Sequence, residues 1–385
     1  MTEKAKTKVK NKRSWLSYFK KTGNFDLTFF FLVTGLTVVG LIMLFSASAP
    51  YAASHRGSSY YFILRQLGFA VFGFVLMMLA SRADYHIWQR LVGLVFILTM
   101  VMLIGVLFTT AQKGQFHRWL DIGLIRFQPS EIGKFSLILL LSYLIAKNQK
   151  RMTDFKYQMF LLMVIGLFCG LVLAENHLSA TVLIFLIGLV LMFVGGMSLK
   201  LLGGMGILGI SGFLMAVFTG LISYASDRIK YWQNPWLDTK DKGFQTIQSL
   251  LAIGSGGLMG RGIGQSNQKY LWLPEPQNDF IFSVVCEELG FIGAALIIVG
   301  FGLLVWRGFV IALKAPDKFG MLMAIGLVFQ VGLQAVLNVL VVTNTIPNTG
   351  ISLPFFSYGG TSLVMLLVQM GIVLNISRSS KVEKV

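Results

Sequence analysis

Two carboxylates, Glu275 and Asp279, stand four residues apart in the run Leu273-Pro274-Glu275-Pro276-Gln277-Asn278-Asp279, immediately before a long apolar stretch that begins at Phe280. A charge at the edge of hydrocarbon is costly unless it faces a wet cavity or a partner, so an ionisable group there is a functional candidate. A carboxylate in that setting can take a proton from an attacking hydroxyl, and Asp279 is the first candidate for such a base. A second cluster reads Arg118-Trp119, then Gln128-Pro129-Ser130-Glu131 and Lys134. Pro129 suits the first turn of a helix, so Gln128, Ser130, Glu131 and Lys134 crown one. Glu131 and Lys134 are three apart and share a helix face. Two readings of that pair stay open: an ion pair that lets the helix enter the membrane, or a cation held by Glu131 for an anionic head group. Arg118 likewise either anchors its loop at the interface or touches a ligand. Arg65, Arg228, Glu275 and Ser357 complete the candidate binding residues.

These groups need a scaffold, and composition says which kind. With 55% hydrophobic residues and 13% charged and a mean hydropathy of +0.72, the chain has more apolar surface than one soluble core hides. It reads as an all-α polytopic membrane protein. Apolar runs of spanning length fall at 27–47, 61–80, 91–109, 129–146, 159–174, 178–194, 201–223, 280–306, 319–342 and 357–376, ten in all. A basic tail, 1–26, precedes a membrane domain over 27–377, and 378–385 forms a second tail. The first run is long and lacks a small-residue cleavage site, which favours a retained helix over a secretory signal.

An even number of spans puts both termini on one side, and 21 of the 33 basic residues fall on that face. The positive-inside rule therefore predicts cytoplasmic termini. Topology and attraction to anionic lipid account for the net charge of +17 without nucleic acid. The three long loops, 110–128, 224–279 and 343–356, all fall on the opposite, extracytoplasmic face, the largest of them between spans seven and eight. Loops long enough to build a site on one face only imply chemistry on that face.

Other features carry less. The cluster Gly254 to Gly264 has the glycines of a phosphate cradle but neither a preceding strand nor the Lys-Ser/Thr ending of a nucleotide loop; a close-packed re-entrant turn is the plainer reading. The loop from Asn344 to Ser362 is rich in turn formers at membrane depth, where irregular backbone must be buried or line a cavity. His177, after Glu175 at the outer end of the fifth span, reads as a structural interface residue rather than a base. Cys169 and Cys286 both lie in spans and suggest packing, not a disulfide or a metal site. No set of residues with metal-ligand spacing is visible.

These residues carry a resemblance. Arg118-Trp119-Leu120 with Phe127-Gln128-Pro129-Ser130-Glu131-Ile132-Gly133-Lys134, Gln248-Ser249-Leu250, Gly260-Arg261-Gly262-Ile263-Gly264-Gln265-Ser266, the Glu275–Asp279 run, Glu287-Glu288-Leu289-Gly290 and Leu353-Pro354-Phe355-Phe356-Ser357-Tyr358-Gly359-Gly360 resemble the shape, elongation, division and sporulation (SEDS) family that includes RodA, FtsW and SpoVE. The Pro-Glu-Pro-Gln form around Glu275 is most similar to the FtsW and SpoVE branch of Gram-positive bacteria. The segment Glu175-Asn176-His177-Leu178-Ser179 departs from the family's Gln-Pro-Asp-Leu-Gly. The resemblance implies a peptidoglycan glycosyltransferase that polymerises lipid II and works with a class B penicillin-binding protein among divisome or elongasome membrane proteins, with Asp279 matching the family's essential aspartate. A divalent cation, Mg or Mn, would rest mainly on substrate phosphates. A lipid II flippase and a non-catalytic divisome scaffold are the competing readings.

Overall fold

The computed structural model of this chain describes residues 24–108, 118–122, 125–198, eight positions between 201 and 212, 223–240, 243–270 and 272–379. Its helices are α1 (Leu27–Arg56), α2 (Tyr61–Arg82), α3 (His86–Leu107), α4 (Pro129–Lys147), α5 (Phe155–Ala174), α6 (Leu178–Gly195), α7 (Ser223–Gln233), α8 (Phe244–Gly256), α9 (Ile281–Leu313), α10 (Lys318–Val342) and α11 (Gly360–Ser379). Nine of them, all but α7 and α8, are long and apolar enough to cross a membrane among the described residues. The protein is a multi-pass helical membrane protein. The span predicted at 201–223 falls largely outside the described residues.

Two features depart from the sequence reading. Before α4 runs an antiparallel hairpin of β1 (Leu120–Ile122) and β2 (Ile125–Phe127), with Leu120 opposite Phe127; strands of three residues are too short to show a period in sequence. The helices also run past the apolar segments. α1 continues through Pro50 to Arg56 and ends at Gly57, whose φ of 72° makes a left-handed C-cap, and α9 extends over 33 residues, about 50 Å at 1.5 Å per residue.

Buried side chains of the bundle come mainly from α4, α6, α10 and α11, whereas α2, α3 and α5 turn large apolar side chains such as Leu64, Leu94 and Met163 outward, as lipid contact requires. Where polar groups enter the bundle they are paired. Asp26 caps α1 by accepting from the Phe29 amide at 2.8 Å, and its other carboxylate oxygen meets Arg307 of α9 at 2.8 Å. Ser377 of α11 accepts from the Asp26 amide at 3.0 Å. One residue thus pins three helices at the end of the bundle away from the site.

At the other end, the glycine cluster sits against a break in α9. Gly290 has φ 67° and ψ −171° inside the helix, a combination essentially confined to glycine. The α9 hydrogen bonds disturbed there are replaced by the loop: Arg261 and Gly262 donate their amides to the Glu287 and Glu288 carbonyls, and Phe291 and Ile292 donate to those of Gly257 and Leu258. The carboxylates are also held, Glu287 by Ser266 Oγ at 2.5 Å and Glu288 by Lys269 Nζ at 2.8 Å. The amides of Arg261 and Gly262 are therefore spent on the protein itself, in keeping with the close-packed turn rather than a phosphate cradle. Adding a methyl at Gly290 would place it 2.2 Å from the Gly260 nitrogen, so Gly290→Ala is expected to destabilise the protein by about 2 kcal/mol or more. Gly35→Ala, a helical position with nothing near its Cβ, should be neutral. Thermal unfolding of both in detergent checks this.

Candidate active site

Asp279 lies just before the first turn of α9, and its backbone position is fixed from beneath. Asn338 of α10 donates through Nδ2 to the Asp279 carbonyl at 2.7 Å and to the Ile351 carbonyl at 2.7 Å, which joins the segment before α9 to the loop before α11. Tyr358 donates its amide to the Gln277 carbonyl at 2.8 Å, and Ser357 Oγ donates to the Asn278 carbonyl at 2.8 Å while accepting from the Leu353 amide. Ser357 is therefore a stitch between the two loops, its hydroxyl already engaged. Glu275 takes a left-handed φ of 44°, and its carboxylate accepts from Asn278 Nδ2 at 2.8 Å.

Above this floor opens a cavity of about 610 Å³ lined by Arg65, Arg118, Gln128, Glu131, Lys134, His177, Glu275 and Asp279 among others, within the range of about 300–1,000 Å³ usual for ligand sites. Residues separated by more than two hundred positions meet here. Lys134, 1% exposed, reaches Glu131 at 2.7 Å, and Ser362 of α11 donates to the second Glu131 oxygen at 3.2 Å. Arg65 sits 4.4 Å from the Tyr61 ring centroid. Arg118 donates to the Asn176 carbonyl and Arg228, from α7, to the Asn348 carbonyl. Of the predicted site residues, seven line this one cavity; Arg228 stands beside it, and Ser357 belongs to its supporting loop.

The electrostatics separate the roles. The Asp279 carboxylate makes no hydrogen bond among the described residues. Burial pushes its pKa up to about 6, with the Glu275 charge adding to the rise and Arg228 and Arg118 opposing it. A group with that affinity is ionised at neutral pH yet basic enough to hold a proton. Burial also lowers the Arg228 pKa to about 10, still fully charged at neutral pH. Glu175, buried with neither oxygen hydrogen-bonded among the described residues, is pushed by burial to about 8 and is mostly neutral at pH 7.

His177 was read from sequence as an interface residue; it lines the cavity instead. Its Nδ1 faces Gln128 Nε2 at 3.3 Å and Ser130 Oγ at 3.2 Å. Burial, then the charges of Arg118, Lys134 and Arg228, depress its pKa and keep the ring neutral. The only signal available in sequence was its place beside a span end, which many structural histidines share. No group of three or more His, Cys, Asp or Glu able to hold a metal occurs among the described residues.

The fold and site define a class: a polytopic helical membrane protein with a cationic, carboxylate-bearing cavity at one end of its bundle. Residues 26–382 match the cell cycle protein family of FtsW, RodA and SpoVE, and the chain belongs to that family. It is 39% identical over 377 residues to stage V sporulation protein E of Bacillus subtilis strain 168, covering 94% of this chain and 99% of that one. It is 37% identical over 364 residues to the probable peptidoglycan glycosyltransferase FtsW of Geobacter sp. strain M18, covering 93% and 98%. Among solved structures it is similar to a chain of a peptidoglycan synthase complex that coordinates polymerization and crosslinking, with TM-score 0.77, 25% identity and coverage of 92% and 98%. It is also similar to the rod shape determining protein RodA of Thermus thermophilus, with TM-score 0.66, 26% identity and coverage of 93% and 98%.

Proposed function

We propose that this protein is a peptidoglycan glycosyltransferase that polymerises lipid II on the extracytoplasmic face of the membrane, with both termini cytoplasmic. The observation that carries the reading is the Asp279 carboxylate: free of hydrogen bonds among the described residues, raised in pKa, and facing a cavity with Arg65, Arg118 and Lys134 in its walls. The names of the FtsW relatives support it, and the basic-residue asymmetry supports the orientation.

In this reaction the 4-hydroxyl of the acceptor's GlcNAc gives its proton to Asp279 as its oxygen attacks the anomeric carbon of the donor's MurNAc. The bond from that carbon to pyrophosphate breaks, and undecaprenyl pyrophosphate leaves. An α-linked donor yields a β-1,4 bond, so the step inverts. An inverting hydrolase needs an acid as well as a base; pyrophosphate leaves as an anion without one if its charge is met. Arg65, Arg118 and Lys134, with Arg228 beside them, supply that charge in a fixed arrangement. A divalent cation resting mainly on the substrate phosphates would add to charge neutralisation. A flippase or a scaffold leaves the raised pKa of Asp279 in this cavity without a task.

The partner we propose is a single-pass class B penicillin-binding protein, as membership of this family implies; the Ser266-x-x-Lys269 match is no transpeptidase nucleophile, since Ser266 Oγ donates to Glu287 and Lys269 to Glu288. The likeness to a synthase complex supports this pairing. Purified protein given lipid II is expected to make little glycan alone and long strands with such a partner, read by gel separation of labelled product. Absence of glycan with every partner tested would reject the enzyme reading.

A further inference from the structure

The wall opposite Asp279 includes the N-terminus of α6, an 18-residue helix whose N-cap is His177. Thr181 makes the first bond of that helix, to the His177 carbonyl, so the amides of Leu178, Ser179 and Ala180 precede the hydrogen-bonded ladder. Such a terminus attracts anions through its free N–H groups and the helix dipole. Two side chains single it out from the other helix ends. Ser179 is 3% exposed, lines the cavity, and its hydroxyl has no hydrogen-bond partner among the described residues. A buried hydroxyl left unpaired is costly, and a ligand oxygen in the cavity would satisfy it.

His177, 8% exposed, is the second. Gln128 Nε2 can only donate, so His177 Nδ1 accepts from it, and the proton of the neutral ring sits on Nε2. Nε2 carries no hydrogen bond among the described residues, and the ring lines the cavity. A neutral N–H donor, an unpaired hydroxyl and a row of free amides thus stand together within reach of the Arg118 and Lys134 charges.

We propose that His177, Ser179 and the first-turn amides of α6 form a seat for a phosphate oxygen of the pyrophosphate group carried by donor and product, an assignment that rests on the cavity being the lipid II site. It adds neutral donors to the cations already described, and it gives this chain's Glu175-Asn176-His177-Leu178-Ser179 segment a task.

The test is binding of fluorescent undecaprenyl pyrophosphate to the full-length protein in nanodiscs, with inorganic pyrophosphate as competitor. Ser179→Ala removes a hydroxyl that bonds to nothing among the described residues, so it should fold as the wild type does and raise the half-saturating lipid concentration about tenfold, as loss of a hydrogen bond to a charged group does. His177→Asn, whose amide reaches only as far as Nδ1, should weaken binding similarly, whereas His177→Gln, whose amide nitrogen matches Nε2, should retain most of it. A merely structural histidine would not separate Gln from Asn in this way. Competition by inorganic pyrophosphate that weakens in step in Ser179→Ala would place the contact on the pyrophosphate; competition unchanged by Ser179→Ala would overturn that assignment. Wild-type binding with Ser179→Ala and His177→Asn equally tight would overturn the seat and leave the enzyme reading intact. Failure of the wild-type protein to bind the lipid would remove both.

Discussion

Asp279→Asn is expected to lower glycan polymerisation by on the order of 100-fold or more, while the protein stays folded and melts at a higher temperature. The two effects have one cause. The carboxylate has no hydrogen-bond partner among the described residues, and burial raises its pKa from the ordinary 3.8 to about 6; the folded state therefore prefers the neutral form. Above the unfolded value the charge counts against folding, and the penalty grows as pH rises through the window from 3.8 to about 6. Asparagine keeps the shape and never carries the charge, so the stability gain should be full at neutral pH and vanish below about pH 4. A group that weakens the fold and is needed for activity is what a working base looks like. Comparing lipid II turnover with thermal unfolding of the same preparations decides the matter; full turnover in the Asn variant would remove Asp279 from the chemistry.

The second large effect is expected at Lys134. Lys134→Met should reduce lipid II turnover on the order of 100-fold, with Lys134→Arg retaining part, because the side chain brings positive charge to the cavity where pyrophosphate develops. The Met variant also leaves Glu131 without its cation at 2.7 Å, and an unpaired, mostly buried carboxylate destabilises the protein. Pairing Lys134→Met with Glu131→Gln separates the causes: stability should return and activity should not. Recovery of turnover along with stability would show the pair to be only a structural neutraliser.

The spans were legible because a membrane helix must be apolar over its whole length, a signal carried by composition alone; α10, predicted over 319–342, is Lys318–Val342. Asp279 and Lys134 were legible for the converse reason, since a charge at or inside an apolar run needs an explanation. What could not be read was distance. Arg65 and Arg118 reach one cavity with Asp279 through helix packing that leaves no trace in spacing. Ser357 stood among the candidate binding residues, yet its hydroxyl joins backbone groups at Asn278 and Leu353. His177 erred in the opposite direction, and Ser179 was not singled out at all: a lone histidine and a serine beside a span end carry no period, and only the packing of α6 shows that both line the cavity. The break at Gly290 was likewise not read from the run 280–306, although Glu287 and Glu288 interrupt its apolar character just before it.

The central claim, that Asp279 is the general base of this cavity, is tested most directly by the pH dependence of kcat/KM for lipid II polymerisation with the partner present. The groups acting on Asp279 are Glu275, Arg228 and Arg118, and with Arg228 still charged up to about pH 10 the acidic limb belongs to the carboxylate. The rate constant is predicted to be level from about pH 7 to 8 and to fall tenfold per unit below an apparent pKa of about 6, with that limb absent from the residual activity of Asp279→Asn. A profile flat down to pH 5, or the same limb persisting in the Asn variant, would contradict the account.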